Sequence, residues 1–228
     1  MEIGLRRIRV LSFDMEGTLV DPYFSHLVWE VDIPRLYAEQ RGLSLEEARE
    51  RVFREYRAVG EERIEWYDIG YWFRRLGLGS DWRVLLERRR DACRLYPEVR
   101  GVLERLRERY TLIVTSNTIR EFLEVQLLDL KPLFTRIFSA PSDFGEVKKS
   151  PGVYMRVCRE LDVEPEAVAH VGDHPKFDYE VPRMVGIRAY HLDREYKSRG
   201  EHIVHNLEDF EKRIKMLEFR DNYTEEPH

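Results

Sequence analysis

The sequence predicts an α/β protein: a parallel sheet covered on both faces by helices, with a helical segment inserted after the first strand. Three observations carry this. Short β-branched runs alternate with helical patterns through most of the chain, as parallel sheets require, because each crossover returns over a face of the sheet. Several of those runs stop abruptly at small or acidic residues. Between them, residues 23–95 hold no convincing strand, only charges alternating with aromatics at helical spacing.

The first strand, residues 8–13, is apolar and halts at Asp14-Met15-Glu16-Gly17-Thr18, a buried strand feeding a glycine turn. The insert then carries its own helix signals: Asp32 ahead of Pro34, a capping-box match at Ser44 and Glu47, and a break at Gly77-Leu78-Gly79-Ser80. It reads as a small bundle, residues 23–95, planted in a core formed by residues 1–22 and 96–228. An amphipathic stretch at 97–109 leads to a second strand, 110–114, which ends at Thr115-Ser116-Asn117-Thr118. The third strand is 136–139, the fourth 168–171, ending at Gly172-Asp173, and the fifth 187–191. Helical patterns fall at 119–130, 151–161, 178–185 and 207–219, and the polar stretch 220–228 reads as a fraying end.

Composition narrows the function. With 38 Lys and Arg against 43 Asp and Glu, the net charge of −5 argues against a nucleic-acid binder, whose affinity rests on a basic footprint. No apolar run approaches the ~18 residues of a spanning helix. The charged start, residues 1–9, is unlike a secretory peptide, so the expectation is a cytoplasmic protein with no membrane partner. Cys93 and Cys158 lack the spacing of a disulfide framework or a zinc site and read as small core hydrophobes. Only Gln40 and Gln126 occur as glutamine beside abundant Arg and Glu, the style of a thermostable protein.

Open parallel sheets bind ligands beyond the carboxyl ends of their strands. That rule gathers Asp14, Glu16, Ser116, Asn117 and Asp173. The strings around them resemble, in order, the four motifs of the haloacid dehalogenase-like superfamily. Asp-x-Asp-Gly-Thr stands as Asp14-Met15-Glu16-Gly17-Thr18, and the strand-ending Ser or Thr as Val114-Thr115-Ser116-Asn117. The lysine before a helix lies in Val147-Lys148-Lys149-Ser150-Pro151, where the register from Pro151 favours Lys148 with Lys149 as the alternative. Gly-Asp with a later Asp stands as Gly172-Asp173 and Asp178. The resemblance implies a three-layer, Rossmann-like core with an all-helical cap as a mobile lid, and phosphatase activity on a small phosphorylated metabolite.

In that reading Asp14 is the nucleophile, splitting one hard phosphoryl transfer into two steps, and Ser116, Asn117 and Lys148 meet the phosphoryl oxygens. Crowded carboxylates call for a divalent cation, and oxygen ligands suit Mg²⁺. The resemblance assigns Asp14 and Asp173 as ligands with a main-chain oxygen of Glu16. Asp178 is either a further acidic support or a helix N-terminal acid, and Ser116 can also cap the following helix. Family phosphatases place Asp where this chain has Glu16. Glutamate can shuttle the same proton, but its extra methylene alters the reach, and a displaced turn acid is the alternative.

Rival functions are phosphotransferase or phosphomutase, 2-haloacid dehalogenase, and a non-catalytic phospho-ligand binder; Glu16 and the Gly172-Asp173 motif speak for phosphate chemistry over dehalogenation. The aromatics of the insert read as bundle core, with one or two facing substrate. Arg63, Arg74 and Arg75 are candidates for its remote end, and His174 for a contact with substrate or solvent. A monomer or homodimer is expected.

Overall fold

Strands buried on both faces need nearly continuous apolar runs, and the sequence supplies them. In the computed structural model, which describes residues 7–223 except 128 and 149, they form β1 (Val10–Phe13), β2 (Thr111–Ser116), β3 (Arg136–Ser139), β4 (Val168–Gly172) and β5 (Arg188–Leu192). A two-residue edge strand, β6 (Ile203–Val204), is too short to leave a periodic signal in sequence. Neighbouring strands run parallel in the order β3-β2-β1-β4-β5-β6.

The helices, in chain order, are α1 (Tyr23–His26), α2 (Ile33–Arg41), α3 (Leu45–Val59), α4 (Ile69–Leu76), α5 (Trp82–Arg88), α6 (Val99–Leu106), α7 (Arg120–Gln126), α8 (Pro151–Glu160), α9 (Val181–Arg183) and α10 (Leu207–Tyr223). The helix expected at 178–185 instead begins as a wide, π-type turn at Pro175–Glu180 before α9. Pro182 has no N–H to donate back to residue 178, so an α-helical ladder cannot run through that point.

Strand alternation sorts the core into two layers. Leu11, Phe13, Leu112, Val114, Ala169 and Val171 face α6 and α10. Val10, Ile113 and Val168 face α8 and α9. The result is a three-layer α/β sandwich of Rossmann-like topology. A third cluster joins Phe24, Val28, Val52, Ile69 and Phe73 of the inserted helices to Ile119 and Phe122 at the start of α7. Cys158 is buried but Cys93 only half-buried, so one of the two cysteines is a core hydrophobe.

Within the insert, the Ser44–Glu47 capping box forms in both directions, and Gly77 closes α4 in the left-handed conformation, φ 63°. Asp32 does not cap. A π-type turn, Leu27–Asp32, runs directly into α2, and the fully buried Asp32 carboxylate instead accepts from Arg89 at 2.6 Å and Arg35 at 2.7 Å. Among the described residues no helix is long and apolar enough to cross a membrane.

Candidate active site

The chain leaves β1 toward β2 and β3, then crosses back to β4 on the other side of β1. The crevice beyond β1 and β4 is thus the point where strand order reverses, the usual ligand position in such sheets. Asp14 follows β1 and Asp173 follows β4. Two glycines let these turns close on each other. A Cβ on Gly17, which sits at φ +70°, would lie 2.1 Å from Asp173 Oδ2, and one on Gly172 would lie 2.4 Å from Asp178 Cγ. A side chain at either place would force the facing aspartate to shift.

Lys148, brought in just ahead of α8, is buried. Its ammonium donates to Asp14 Oδ1 and Asp178 Oδ1, each at 2.5 Å, and to the carbonyl of Thr115 at 3.0 Å. Three N–H groups meet three acceptors. Burial alone would lower the lysine's pKa, but Asp14 and Asp178 outweigh it and hold it well above the ordinary value. Lys149, the alternative, lies outside the described residues.

Carboxylate oxygens of Asp14, Asp173 and Asp178 lie within 4.8 Å of one another. Like charges at about 4 Å repel by about 4 kcal/mol at an effective ε near 20, and Lys148 is a cation bonded to two of them, Asp14 and Asp178. The pKa values divide accordingly. Burial pushes Asp14 up to about 7 despite Lys148. Enclosure, then Asp14 and Asp178, push Asp173 well up; because its tip reaches solvent, the neighbouring carboxylates are the cause we hold to. Burial would also raise Asp178, but Lys148 and His170 overcome it and hold that carboxyl well below the usual range. An all-oxygen donor set with surplus negative charge fits a hard divalent cation such as Mg²⁺, with Asp14 and Asp173 the better placed because both oxygens of Asp178 already accept hydrogen bonds.

Asp178 lies in the first turn of the π-type helix and also accepts from the His174 amide at 3.0 Å, so it is a first-turn acid as well as an acidic support. His170 Nε2 stands 3.2 Å from it, with Tyr154 O–H at 3.1 Å and Ser12 Oγ against Nδ1 at 2.8 Å. Burial holds His170 below the usual histidine range.

Glu16 is drawn the other way. Its Oε1 accepts from Ser25 Oγ of α1 and from Gln126 Nε2 of α7, the latter at 3.0 Å. Burial raises its pKa, against the pull of those two hydrogen bonds. Ser116 lines the cleft and bonds within its own turn, accepting from the Thr118 amide at 3.3 Å. It does not cap α7: Ile119 holds the N-cap position, with no side-chain bond. Asn117 Oδ1 accepts from the Lys148 amide at 2.6 Å, and its Nδ2 faces Tyr67 O–H of the insert at 3.4 Å.

The cleft, about 260 Å³, is lined by Asp14, Glu16, Ser116, Asn117, Lys148, Asp173 and Asp178 together with Trp66, Tyr67 and His174. All seven expected residues meet there. Arg63, Arg74 and Arg75 do not: they are paired to Glu65, Asp68 and Glu55. His174, which lines the cleft, also caps its helix through Nδ1 and stacks on Phe177. Ser25, Gln126, His170 and Tyr154 were not anticipated. One signal for Gln126 existed: it falls one turn after Phe122, an amide on an apolar helix face.

A family model described as haloacid dehalogenase-like hydrolase matches residues 8–186. The chain is 30% identical over 78 residues to the GMP/IMP nucleotidase YrfG of Escherichia coli, a stretch spanning 34% of this chain and only about a third (35%) of that relative's length. It is 24% identical to the glyceraldehyde 3-phosphate phosphatase of Pyrococcus furiosus over 98% of this chain and 99% of that one. In fold it is similar to a crystal structure of an HAD phosphatase from Thermococcus onnurineus, with TM-score 0.81, 24% identity, and coverage of 90% of this chain and 97% of that one.

Proposed function

The chain belongs to the haloacid dehalogenase-like hydrolase family, and within it we propose a Mg²⁺-dependent phosphatase that hydrolyses a small phosphomonoester through an aspartyl-phosphate on Asp14. The observation that carries this is the meeting of Asp14, Lys148 and Asp173 in one cleft from three distant parts of the chain. The family membership and the phosphatases among its relatives support the same reading.

Asp14 and Asp173, with a main-chain oxygen of Glu16, would hold the cation, whose chemistry is to neutralise charge on the phosphate and the attacking carboxylate. Lys148 keeps Asp14 ionised and aimed by donating to Oδ1. The Asp14 carboxylate attacks phosphorus and the ester P–O bond breaks. Glu16, whose raised pKa favours the protonated form, gives its proton to the departing oxygen. In the second step Glu16 takes a proton from water, the resulting hydroxide attacks phosphorus, and Asp14 leaves as free carboxylate with phosphate released. Ser116 and turn amides supply donors for the non-bridging oxygens. Asp178 acts through Lys148, as a positioning residue.

We further take residues 23–95 as a cap over a core of residues 1–22 and 96–228; Tyr67 and Trp66 reach the cleft from that segment. Phosphate release from a panel of phosphomonoesters, with and without Mg²⁺, tests the proposal. Metal-dependent release abolished in Asp14→Asn is the expected result. Unchanged turnover in Glu16→Gln across pH would remove Glu16 from the proton-transfer role.

A further inference from the structure

Beside the carboxylate cleft lies a second cavity, about 430 Å³, and the two share Glu16, Trp66, Tyr67 and Thr118 as walls. The proton donor of the proposed reaction therefore stands at the neck between them. An ester whose phosphoryl group rests against Asp14 would have its leaving oxygen beside Glu16 and the rest of its leaving group in this second space.

The walls of that space are mostly aromatic. Beyond the neck its walls are Trp29, Phe53, Tyr56, Trp72 and Phe122. These rings pack edge to face and in stacks, with Trp29 stacked on Phe122 at 5.6 Å and Tyr56 edge-on to Trp72 at 4.6 Å. Two of the three rings that carry polar atoms spend them on the protein. Tyr56 O–H donates to the Trp29 carbonyl at 3.2 Å, and Trp72 Nε1–H to the Trp66 carbonyl at 3.1 Å. At the neck, Tyr67 O–H donates to the Glu61 carbonyl at 3.0 Å, and Ser25 O–H to Glu16. The charged members, Glu30 and Arg57, are exposed at the outer rim. A hydroxylated leaving group placed here would give up its hydrogen bonds to water and find few in return, at a cost of one to several kcal/mol per group. A hydrocarbon or a flat ring loses nothing and buries its surface.

We propose that this cavity is the leaving-group pocket and that it selects phosphomonoesters of aromatic or otherwise apolar alcohols over those of polyols and sugars. The proposal rests on the phosphatase reading and adds the substrate class to it. Its volume, within the range of small-molecule sites, accommodates a ring-bearing group.

The test compares 2-phenylethyl phosphate with glycerol 3-phosphate, both esters of primary alcohols, by phosphate release with Mg²⁺. Burying roughly 100 Å² of ring surface at about 25 cal/mol per Å² predicts kcat/KM for the phenylethyl ester on the order of 50-fold higher. Phe53→Ser, which places a hydroxyl in the wall, is expected to cut that ratio several-fold. In the wild-type protein 2-phenylethanol should compete with glycerol 3-phosphate where glycerol does not, a measurement independent of whether the variant folds. Equal kcat/KM for the two esters, or preference for glycerol 3-phosphate, would overturn the pocket assignment and leave the phosphatase reading standing. Release from neither ester, nor from any in the wider panel, would refute the phosphatase reading instead. In that event binding of 2-phenylethanol, read from quenching of the wall tryptophans, decides the pocket by itself: no quenching overturns it.

Discussion

The bond set around Lys148 makes a prediction with a sign and a size. Lys148→Met keeps most of the buried stem and removes the charge, leaving Asp14 and Asp178 facing each other with oxygens within 4.8 Å. Breaking a buried ion pair by removing one partner costs about 3–5 kcal/mol, because an uncompensated charge stays behind. For a chain of this length that is a fall in Tm on the order of 10 °C. The loss must depend on pH. Lys148 and His170 hold the Asp178 carboxyl below its ordinary value; such a group contributes stability above the unfolded carboxylate range and loses it as pH falls through the folded pKa. Without Lys148 that contribution disappears, so this part of the deficit is full above about pH 4 and fades as pH falls further. Asp14 acts in the same direction. Its pKa is raised to about 7, so it favours the folded state fully at low pH and ceases to do so as pH rises through 7; removing the ammonium deepens that loss on the alkaline side. Guanidinium chloride unfolding in EDTA should therefore show a deficit of about 3–5 kcal/mol at pH 8 that is smaller at pH 5, where the Asp14 part is gone and the Asp178 part remains. A deficit of equal size at both values, or none, would refute the account of Lys148 as the counter-charge of this cluster.

Three further outcomes follow from the same geometry. Mg²⁺ should raise Tm more at pH 8 than at pH 5, because a proton on Asp14, whose pKa stands near 7, competes with the cation; a pH-independent shift in thermal melts would contradict cation binding at Asp14. Gly172→Ala puts a Cβ 2.4 Å from Asp178 Cγ, whereas Gly79→Ala meets nothing within 4 Å. The first should cost about 1–3 kcal/mol and most of the activity, the second almost nothing, by denaturant titration and phosphate release. Gln126→Leu removes one of the two hydrogen bonds that pull the Glu16 pKa down, so the pH profile of kcat should move to higher pH; a lower kcat with an unmoved profile would make Gln126 a packing residue only.

How much of this was readable beforehand depended on where each signal resided. The central strands announced themselves because burial on both faces demands unbroken apolar runs, and two of them end at an acid of the cleft: Phe13 hands on to Asp14, Gly172 to Asp173. Asp14, Ser116 and Asp173 share one cleft for that reason, and Lys148 and Asp178 join them from helix starts. What escaped was set by distance in space. Nothing local marks Ser25 as the partner of Glu16, since the bond depends on how the insert sits on the core. Nor could the arginines of α4 be told from substrate contacts until Glu55 and Asp68 were seen beside them. Asp32 carried a helix-start signal, but Arg89, 57 residues away, claimed its carboxylate.

The glutamate at position 16 links these features. Relative to the family's aspartate it adds one methylene, about 1.5 Å of reach, and its Oε1 is where Ser25 of the insert and Gln126 of the core meet. Gln126 is one turn along α7 from Phe122, which walls the aromatic cavity and belongs to the insert's own hydrophobic cluster. One short helix thus places both the apolar wall and the amide that steadies the acid. A shorter carboxylate would lose contact with one or both partners and withdraw from the neck between the two cavities. Because Ser25 lies on α1 and Gln126 on α7, Glu16 is held at once by the inserted helices and by the helix that follows β2.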